Sequence, residues 1–395
     1  MEKLRLAVFN TQPPHLYFGG VERRIMETAK LMQSKADVTV YCGTKAGFKE
    51  PTCIGNTALI PCHSTDRMFP LDNWFFNRSL TKTAAAIGAD VFEAHAVSGY
   101  GFPKKLKQLG IKKPFIHTIH GVLADEYWQA KTSTNQTLRD KVANRLMRHL
   151  AKLEKQTAQN ASLIVTISNY SRRKIVENYG IGDDKVRIVP NGVDTEKFKP
   201  TSNPAETRKK LGLGSEHCVL FVGSLIARKG LPLLVEAAKK VVKDQSDTKF
   251  LLVGDGPLKG QLDISLKKLN LSGSFVFLNK VKEETLPAIY NSADVFVLPS
   301  IQEGQGIVLL EAQASGLPVV AFDIGGVNEA VRNGETGLLV ERGSTDVLAD
   351  ALIKVISDDA LRARMGSSGR RFVSENLTWK LCTDKMLNVY HEVLQ

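Results

Sequence analysis

No run of eighteen or more apolar residues occurs in the 395-residue chain, so the sequence offers no transmembrane helix. The start, Met1-Glu2-Lys3-Leu4-Arg5, leads straight into Leu6-Ala7-Val8-Phe9. That apolar stretch is too short for a signal-peptide core and lacks a small-residue cleavage site; it reads as a buried first strand. Cysteine is scarce, limited to Cys42, Cys53, Cys62, Cys218 and Cys382. An odd count with no Cys-x-x-Cys and no Cys/His zinc spacing excludes a disulfide framework, and predicts reduced, mostly buried thiols in a cytoplasmic protein. No Gly-x-Gly-x-x-Gly follows the first apolar run, which argues against a dinucleotide cofactor. No Asp-x-Asp follows a strand-like run, which argues against a metal-held diphosphate.

What is present is ordinary globular material, 43% hydrophobic and 24% charged. The length favours two or three domains, since one core rarely grows past about 250–300 residues. The net charge of +12 is unevenly placed: residues 1–200 carry 30 Lys and Arg against 18 Asp and Glu, and the rest balances at 23 of each. Such asymmetry fits an acidic partner (an anionic membrane surface, a lipid phosphate or a nucleic acid) or a solvated basic face with no partner.

Short β-branched runs alternate with helical patterns throughout. Strands are expected at Leu4–Phe9, Val38–Tyr41, Val91–Ala94, Phe115–Ile119, Leu163–Ile167 and Arg187–Val189, and again at Cys218–Val222, Phe250–Val253, Phe275–Leu278, Val295–Leu298 and Val319–Ala321. Helices such as Val21–Met32, Leu233–Val242 and Val308–Ala314 lie between them. Runs that are apolar throughout, rather than alternating, indicate parallel strands covered on both faces. The fold class is therefore α/β, with two doubly wound units. The turn-rich stretch Pro190–Gly214 marks the boundary. From Asp346 to Gln395 the tail is nearly all helical, and the helix opening at Trp379 sits too far from the second core to belong only to it.

Three segments suit a diphosphate. Gly19-Gly20-Val21-Glu22 follows the first strand and opens a helix, whose free N–H groups favour anions; alone it also fits a tight strand-to-helix turn. Gly223-Ser224-Leu225-Ile226-Ala227-Arg228-Lys229-Gly230 follows the first strand of the second unit, where Arg offers a fork and Lys a point charge, unless it is simply a solvated loop. Gly304-Gln305-Gly306-Ile307-Val308 opens a further helix, flanked by Glu303 on the loop and Glu311 in the second turn. Carboxylates accept hydrogen bonds from vicinal hydroxyls, so one could meet a sugar and the other a ribose; the competing reading makes Glu311 a surface helix residue.

At Pro299-Ser300-Ile301-Gln302-Glu303-Gly304-Gln305-Gly306-Ile307-Val308-Leu309-Leu310-Glu311-Ala312 the chain resembles the Glu-x7-Glu signature of retaining glycosyltransferases of family 4. Gly19-Gly20-Val21-Glu22, His120-Gly121, Pro190-Asn191-Gly192-Val193-Asp194, Arg228-Lys229-Gly230, Gly254-Asp255-Gly256-Pro257, Ala314-Ser315-Gly316-Leu317-Pro318-Val319-Val320 and Gly325-Gly326-Val327-Asn328-Glu329 resemble the family in the same order. The likeness covers essentially the whole chain and is more specific in its second half. It implies the GT-B fold, two Rossmann-like domains facing across a cleft: an acceptor domain over 1–195 joined by a returning helix 379–395, and a nucleotide-sugar domain over 196–378.

The resemblance also implies site roles. Glu303 would bind the donor sugar's hydroxyls and Glu311 the ribose. Gly306 and the backbone of Ile307 and Val308 would face the diphosphate or sugar, and Arg228 and Lys229 would neutralise it. Gly19 and Gly20 would close on it from the other domain, His120 would hydrogen-bond the sugar, and Val281 would meet the base through its backbone. Ser224 stands where many members carry arginine, which leaves Arg228 as the nearby guanidinium; Gln305 stands where many carry an aromatic. Retention and independence of metal follow from the resemblance too, with no cofactor beyond a UDP- or GDP-sugar donor. His95 and His117 are expected to be structural or acceptor-side.

Basic clusters at Arg23-Arg24, at Lys104, Lys105, Lys107, Lys112 and Lys113, and along Arg139–Lys155 lie in the acceptor domain. The last segment reads as an amphipathic helix with Leu138, Val142, Leu146, Leu150 and Leu153 on one stripe and Arg139, Lys141, Arg145, Arg148 and Lys152 mostly off it. The stripe packs on the core or rests on an anionic membrane. A glycan or lipid-linked acceptor, and a cytoplasmic protein peripheral at the inner face of the membrane, fit this pattern. Competing readings are an NAD-dependent dehydrogenase, a sugar-nucleotide epimerase of the same plan and a basic nucleic-acid-binding protein; no recognition-helix motif or zinc spacing favours the last.

Overall fold

A computed structural model describes residues 3–17, 19–66, 71–131, 138–201 and 203–395. The chain divides into two compact units, one formed by Met1–Asn191 with Trp379–Gln395 and the other by Gly192–Thr378. Each is a Rossmann-like unit of the GT-B type, a twisted sheet wrapped by helices.

The first sheet contains β1 (Leu4–Asn10), β2 (Ala36–Gly43), β3 (Thr52–Ile54), β4 (Thr57–Cys62), β5 (Val91–His95), β6 (Phe115–Ile119), β7 (Leu163–Thr166) and β8 (Val186–Ile188), in the order β3-β4-β2-β1-β5-β6-β7-β8. All neighbours are parallel except the β3–β4 hairpin. That hairpin escaped the sequence reading although Gly55-Asn56, with Gly55 at φ +56°, is a tight-turn signal. Pro61 is tolerated within β4 because β3 pairs no further along that strand than Leu59.

The second sheet contains β9 (His217–Val222), β10 (Thr248–Val253), β11 (Phe275–Leu278), β12 (Val295–Leu298), β13 (Val319–Phe322) and β14 (Gly337–Val340), all parallel, in the order β11-β10-β9-β12-β13-β14. This is the strand order of a dinucleotide-binding sheet, and its switch point lies between β9 and β12. Cys218, Val219, Leu220 and Phe221 on β9 and Val295, Phe296 and Val297 on β12 are fully buried, as strands covered on both faces require.

The last helix, Trp379–Glu392, is part of the first unit. Trp379, Cys382, Met386 and Tyr390 recur at helical spacing and are all buried, against the Gly20–Met32 helix. Burial contributes about 1.5–3 kcal/mol for each large apolar side chain. At its end Glu392 meets Arg187 through two guanidinium nitrogens, 3.1 and 2.5 Å away.

The basic helix spans Leu138–Gln159. Its stripe is covered only towards the C-terminal end: Leu150 is buried, Leu146 and Leu153 are half-buried, and Val142 is 71% exposed. The side chains of Leu138, Arg139 and Lys141 lie outside the described residues. Arg24 is no part of a basic surface. It is buried and donates to the Val189 carbonyl at 2.8 Å and to Asn191 Oδ1 at 3.1 Å. Four cysteines are buried and Cys53 is exposed; burial pushes the Cys62 and Cys218 thiols up to about 12, which keeps them protonated and inert. Among the described residues no helix is long and apolar enough to cross a membrane.

Candidate functional site

In the second unit, two loops meet at the carboxyl ends of neighbouring strands β9 and β12. The turn Ala227–Lys229 follows β9, and residues 299–306 follow β12. They are tied by a hydrogen bond from the Ile301 amide to the Arg228 carbonyl, 2.9 Å. The approach is close enough to exclude any side chain at Gly230, where a Cβ would stand 1.8 Å from the Pro299 carbonyl oxygen and φ is +65°. Gly325 plays the same part from the loop after β13, its missing Cβ leaving room for the Glu303 carbonyl. Two of the motif glycines are thus needed for loop-on-loop packing, before any ligand is considered.

This packing sets Lys229 Nζ 2.5 Å from Glu303 Oε2, with Arg228 Nη1 at 3.9 Å from the same oxygen. Burial raises the Glu303 carboxyl, but the Lys229 and Arg228 charges and the Lys229 hydrogen bond outweigh it and hold the group below its ordinary range. Glu303 is therefore an anion at neutral pH, Lys229 is buried, and the Arg228 side chain is 44% exposed. Gly306, at φ +85°, caps the Ile307–Ala314 helix. Ile307 and Val308 are its first two residues, so their amides have no partner within the helix and suit an anion.

Glu311 lies in the second turn, where its sequence position put it, but it is not on the surface. It is 1% exposed and accepts a 2.8 Å hydrogen bond from the Tyr290 hydroxyl. Tyr290, from the Leu286–Asn291 helix, carried no signal in the sequence. Ser224 is exposed after β9, and Val281 is half-buried after β11, packed on the core. Lys229, Arg228, Glu303, Gly306, Ile307 and Val308 thus gather around one switch point, while Ser224, Val281 and Glu311 surround it at the same end of the sheet.

Gly19, Gly20 and His120 belong to the first unit. Gly19 and Gly20 are exposed at the start of the Gly20–Met32 helix, and the adjoining Glu22 is buried and accepts from Asn10 Nδ2 at 3.1 Å. His120 follows β6, half-buried, with Nε2 2.9 Å from Nδ1 of His95 at the end of β5. Burial, and then the neighbouring His95, Arg24 and His117, push His120 well below the usual histidine range, so it is neutral at pH 7. His117 is fully buried and donates from Nε2 to the Ala96 carbonyl at 2.5 Å. Ala96 adopts a left-handed conformation, φ +50°, a local cost of about 1–3 kcal/mol. Glu93, a carboxylate between apolar neighbours in β5, is the sequence signal for this polar interior. Among the described residues no group of three or more His, Cys, Asp or Glu could hold a metal ion.

The sequence pattern of the family described as Glycosyl transferases group 1 matches residues 204–372, and that of Glycosyltransferase Family 4 matches residues 18–197. The chain is 31% identical to the GDP-mannose-dependent monoacylated alpha-(1-6)-phosphatidylinositol monomannoside mannosyltransferase of Corynebacterium glutamicum, over 97% of both chains. It is 32% identical to the GDP-mannose-dependent alpha-(1-6)-phosphatidylinositol monomannoside mannosyltransferase of Mycolicibacterium smegmatis, over 57% of this chain and 61% of that protein. The match to this second relative thus spans about three fifths of its length. The solved sucrose-phosphate synthase of Thermosynechococcus elongatus shares the fold, with a TM-score of 0.83, 22% identity and 99% of each chain covered.

Proposed function

Since the chain belongs to the family 4 (group 1) glycosyltransferases, we propose that it moves a hexosyl group from a nucleoside-diphosphate sugar to a hydroxyl acceptor, without metal and with retention at the anomeric carbon. The observation that carries this reading is the Lys229–Glu303 pair at the β9/β12 switch point, with Arg228 beside it. A carboxylate already held as an anion can accept from sugar hydroxyls. A buried ammonium and a neighbouring guanidinium can face the diphosphate.

Breaking the anomeric C–O bond leaves a nucleoside diphosphate with added negative charge. Lys229, Arg228 and the amides of Ile307 and Val308 stand fixed where that charge develops, which is where preorganised groups lower a barrier most. The transition state is oxocarbenium-like, as in glycoside hydrolysis. A front-face reaction fits, with the departing phosphate taking the proton of the acceptor hydroxyl. Glu311 takes the ribose after exchanging its bond to Tyr290. His120 accepts from a hydroxyl of the donor sugar. The relatives named for GDP-mannose favour a GDP-linked donor, and the lipid-linked inositol acceptors in their names favour a polyol or lipid-linked acceptor here.

Incubation with GDP-mannose, UDP-glucose and UDP-N-acetylglucosamine, with EDTA present and NMR of the product's anomeric proton, tests the reading. Transfer with retained configuration is expected. Conversion of donor without acceptor would replace the transferase by an epimerase, and an inverted product would reject the front-face step.

A further inference from the structure

A chain of buried polar contacts links the last helix to the carboxyl ends of β5 and β6 in the first unit. The Tyr390 hydroxyl, from the last helix, donates to Oε2 of Glu93, and the Thr118 hydroxyl donates to Oε1 at 2.6 Å. The same Oε1 lies 3.3 Å from Nε2 of His95. Across that ring, Nδ1 lies 2.9 Å from Nε2 of His120, and the two imidazole planes lie within 24° of one another with centroids 5.2 Å apart, an edge-to-edge arrangement.

These contacts dictate where the protons sit. Each oxygen of Glu93 already accepts from a hydroxyl, so the carboxylate is an acceptor throughout. A lone pair on Nε2 of His95 would be repelled by Oε1, whereas a proton there is attracted. Burial first, and then Arg24 and His117, push His95 well below the usual histidine range and so favour a single proton, against the pull of Glu93 at 3.3 Å towards a charged ring. With that proton on Nε2, Nδ1 of His95 is a bare acceptor. The 2.9 Å contact then requires the proton of neutral His120 to be on its Nε2. The other groups facing the pair make no hydrogen bond to either ring among the described residues: His117 donates from Nε2 to the Ala96 carbonyl, Arg24 donates from Nη1 to Val189 and Asn191, and Nδ1 of His117 and Nη2 of Arg24 are buried without a partner.

We propose that Glu93 and His95 are positioning residues for His120, holding its Nε2–H tautomer so that the unprotonated Nδ1 is the nitrogen offered to a hydroxyl of the donor sugar. Tyr390 completes the chain at its far end. The last helix thereby orients a residue after β6 as well as covering the core. The inference rests on the transferase reading for its substrate but not for its tautomer, so two measurements separate them.

The first is 15N NMR of histidine-labelled full-length protein without ligand, with His120 assigned by comparison with His120→Gln. The Nε2–H tautomer is expected at pH 7; an Nδ1–H tautomer or an imidazolium overturns the proposal. The second is kinetics with the donor found above. His95→Leu, which removes the acceptor, is expected to lower kcat about 10-fold with the donor KM within about twofold. His95→Asn, whose side-chain oxygen can stand near the place of Nδ1, is expected to recover to within about threefold of wild type, and Tyr390→Phe to lose about two- to threefold. Equal losses in His95→Leu and His95→Asn, or a fall confined to KM, overturn a positioning role. Absence of any sugar transfer by the wild type would refute the transferase reading and leave the NMR to decide the tautomer.

Discussion

The two units share a sheet plan and use it for opposite electrostatics. At the carboxyl ends of β9 and β12 the second unit keeps full charges, Lys229 against Glu303, with Arg228 reaching solvent. At the carboxyl ends of β5 and β6 the first unit keeps neutral rings, His95, His117 and His120, all pushed below their usual range. The surplus of positive charge runs the other way: it lies wholly in residues 1–200, whereas residues 201–395 are balanced. Net charge therefore says little about where charge is used. Burial decides that, because a buried ion must be paired and a buried imidazole can instead lose its proton.

The comparison is broken most strongly at Glu303. Glu303→Gln keeps shape but removes the anion, and kcat is expected to fall about 100- to 1000-fold, the size seen when a preorganised polar group is lost. Unchanged steady-state rates would take Glu303 out of the site. Lys229→Ala is expected to weaken nucleoside-diphosphate binding about 10- to 100-fold by calorimetry, since a charge-assisted contact contributes about 1.5–3 kcal/mol. The same titration with His120→Gln should change far less, because a neutral ring does not answer the diphosphate's charge.

A third test contrasts packing in the two units. Gly230→Ala places a Cβ against the Pro299 carbonyl and is expected to cost about 2–3 kcal/mol in urea unfolding of the second unit. Gly180→Ala in the first unit, at φ +64° with nothing within 4 Å, is expected to cost about 1 kcal/mol. Equal losses would mean that backbone conformation alone, not loop contact, sets the need for glycine.

The smallest effect concerns Glu154. It is buried, accepts from the Tyr179 hydroxyl and from the Leu123 amide at 3.0 Å, and burial raises its carboxyl to about 8. A folded-state value above the unfolded one means stability present at low pH and lost as pH rises from about 4.5 through 8. Glu154→Gln mimics the protonated acid. Above pH 8 it is expected to melt higher than wild type by about 2–4 °C, for a gain on the order of 1 kcal/mol, with little difference near pH 5. A constant offset across that range would show that Glu154 does not titrate in it.

The second unit was the more legible one. Most of its strands are apolar runs, although β14 (Gly337–Val340) was not expected, and its site lies in two short segments, 228–230 and 303–311, that carry their own glycines and charges. In the first unit, β3 and β4 were missed because Pro61 and three exposed β3 residues mask the pattern. The stripe on the Leu138–Gln159 helix was visible, but how far the core reaches along it was not, and Val142 proved exposed. Arg24 looked like surface charge because its carbonyl partner lies 165 residues away in sequence.

By itself the sequence determined the α/β class, the parallel strands, the opening of the last helix at Trp379 and the loop-to-helix segment that bears Glu303, since all follow from local periodicity, caps and glycine placement. Tertiary structure alone decided which charges are paired and which rings are neutral. Lys229 meets Glu303 across 74 residues, and Tyr390 meets Glu93 across 297. Protonation and tautomer depend on burial and on neighbours brought from distant parts of the chain, and no local pattern encodes either.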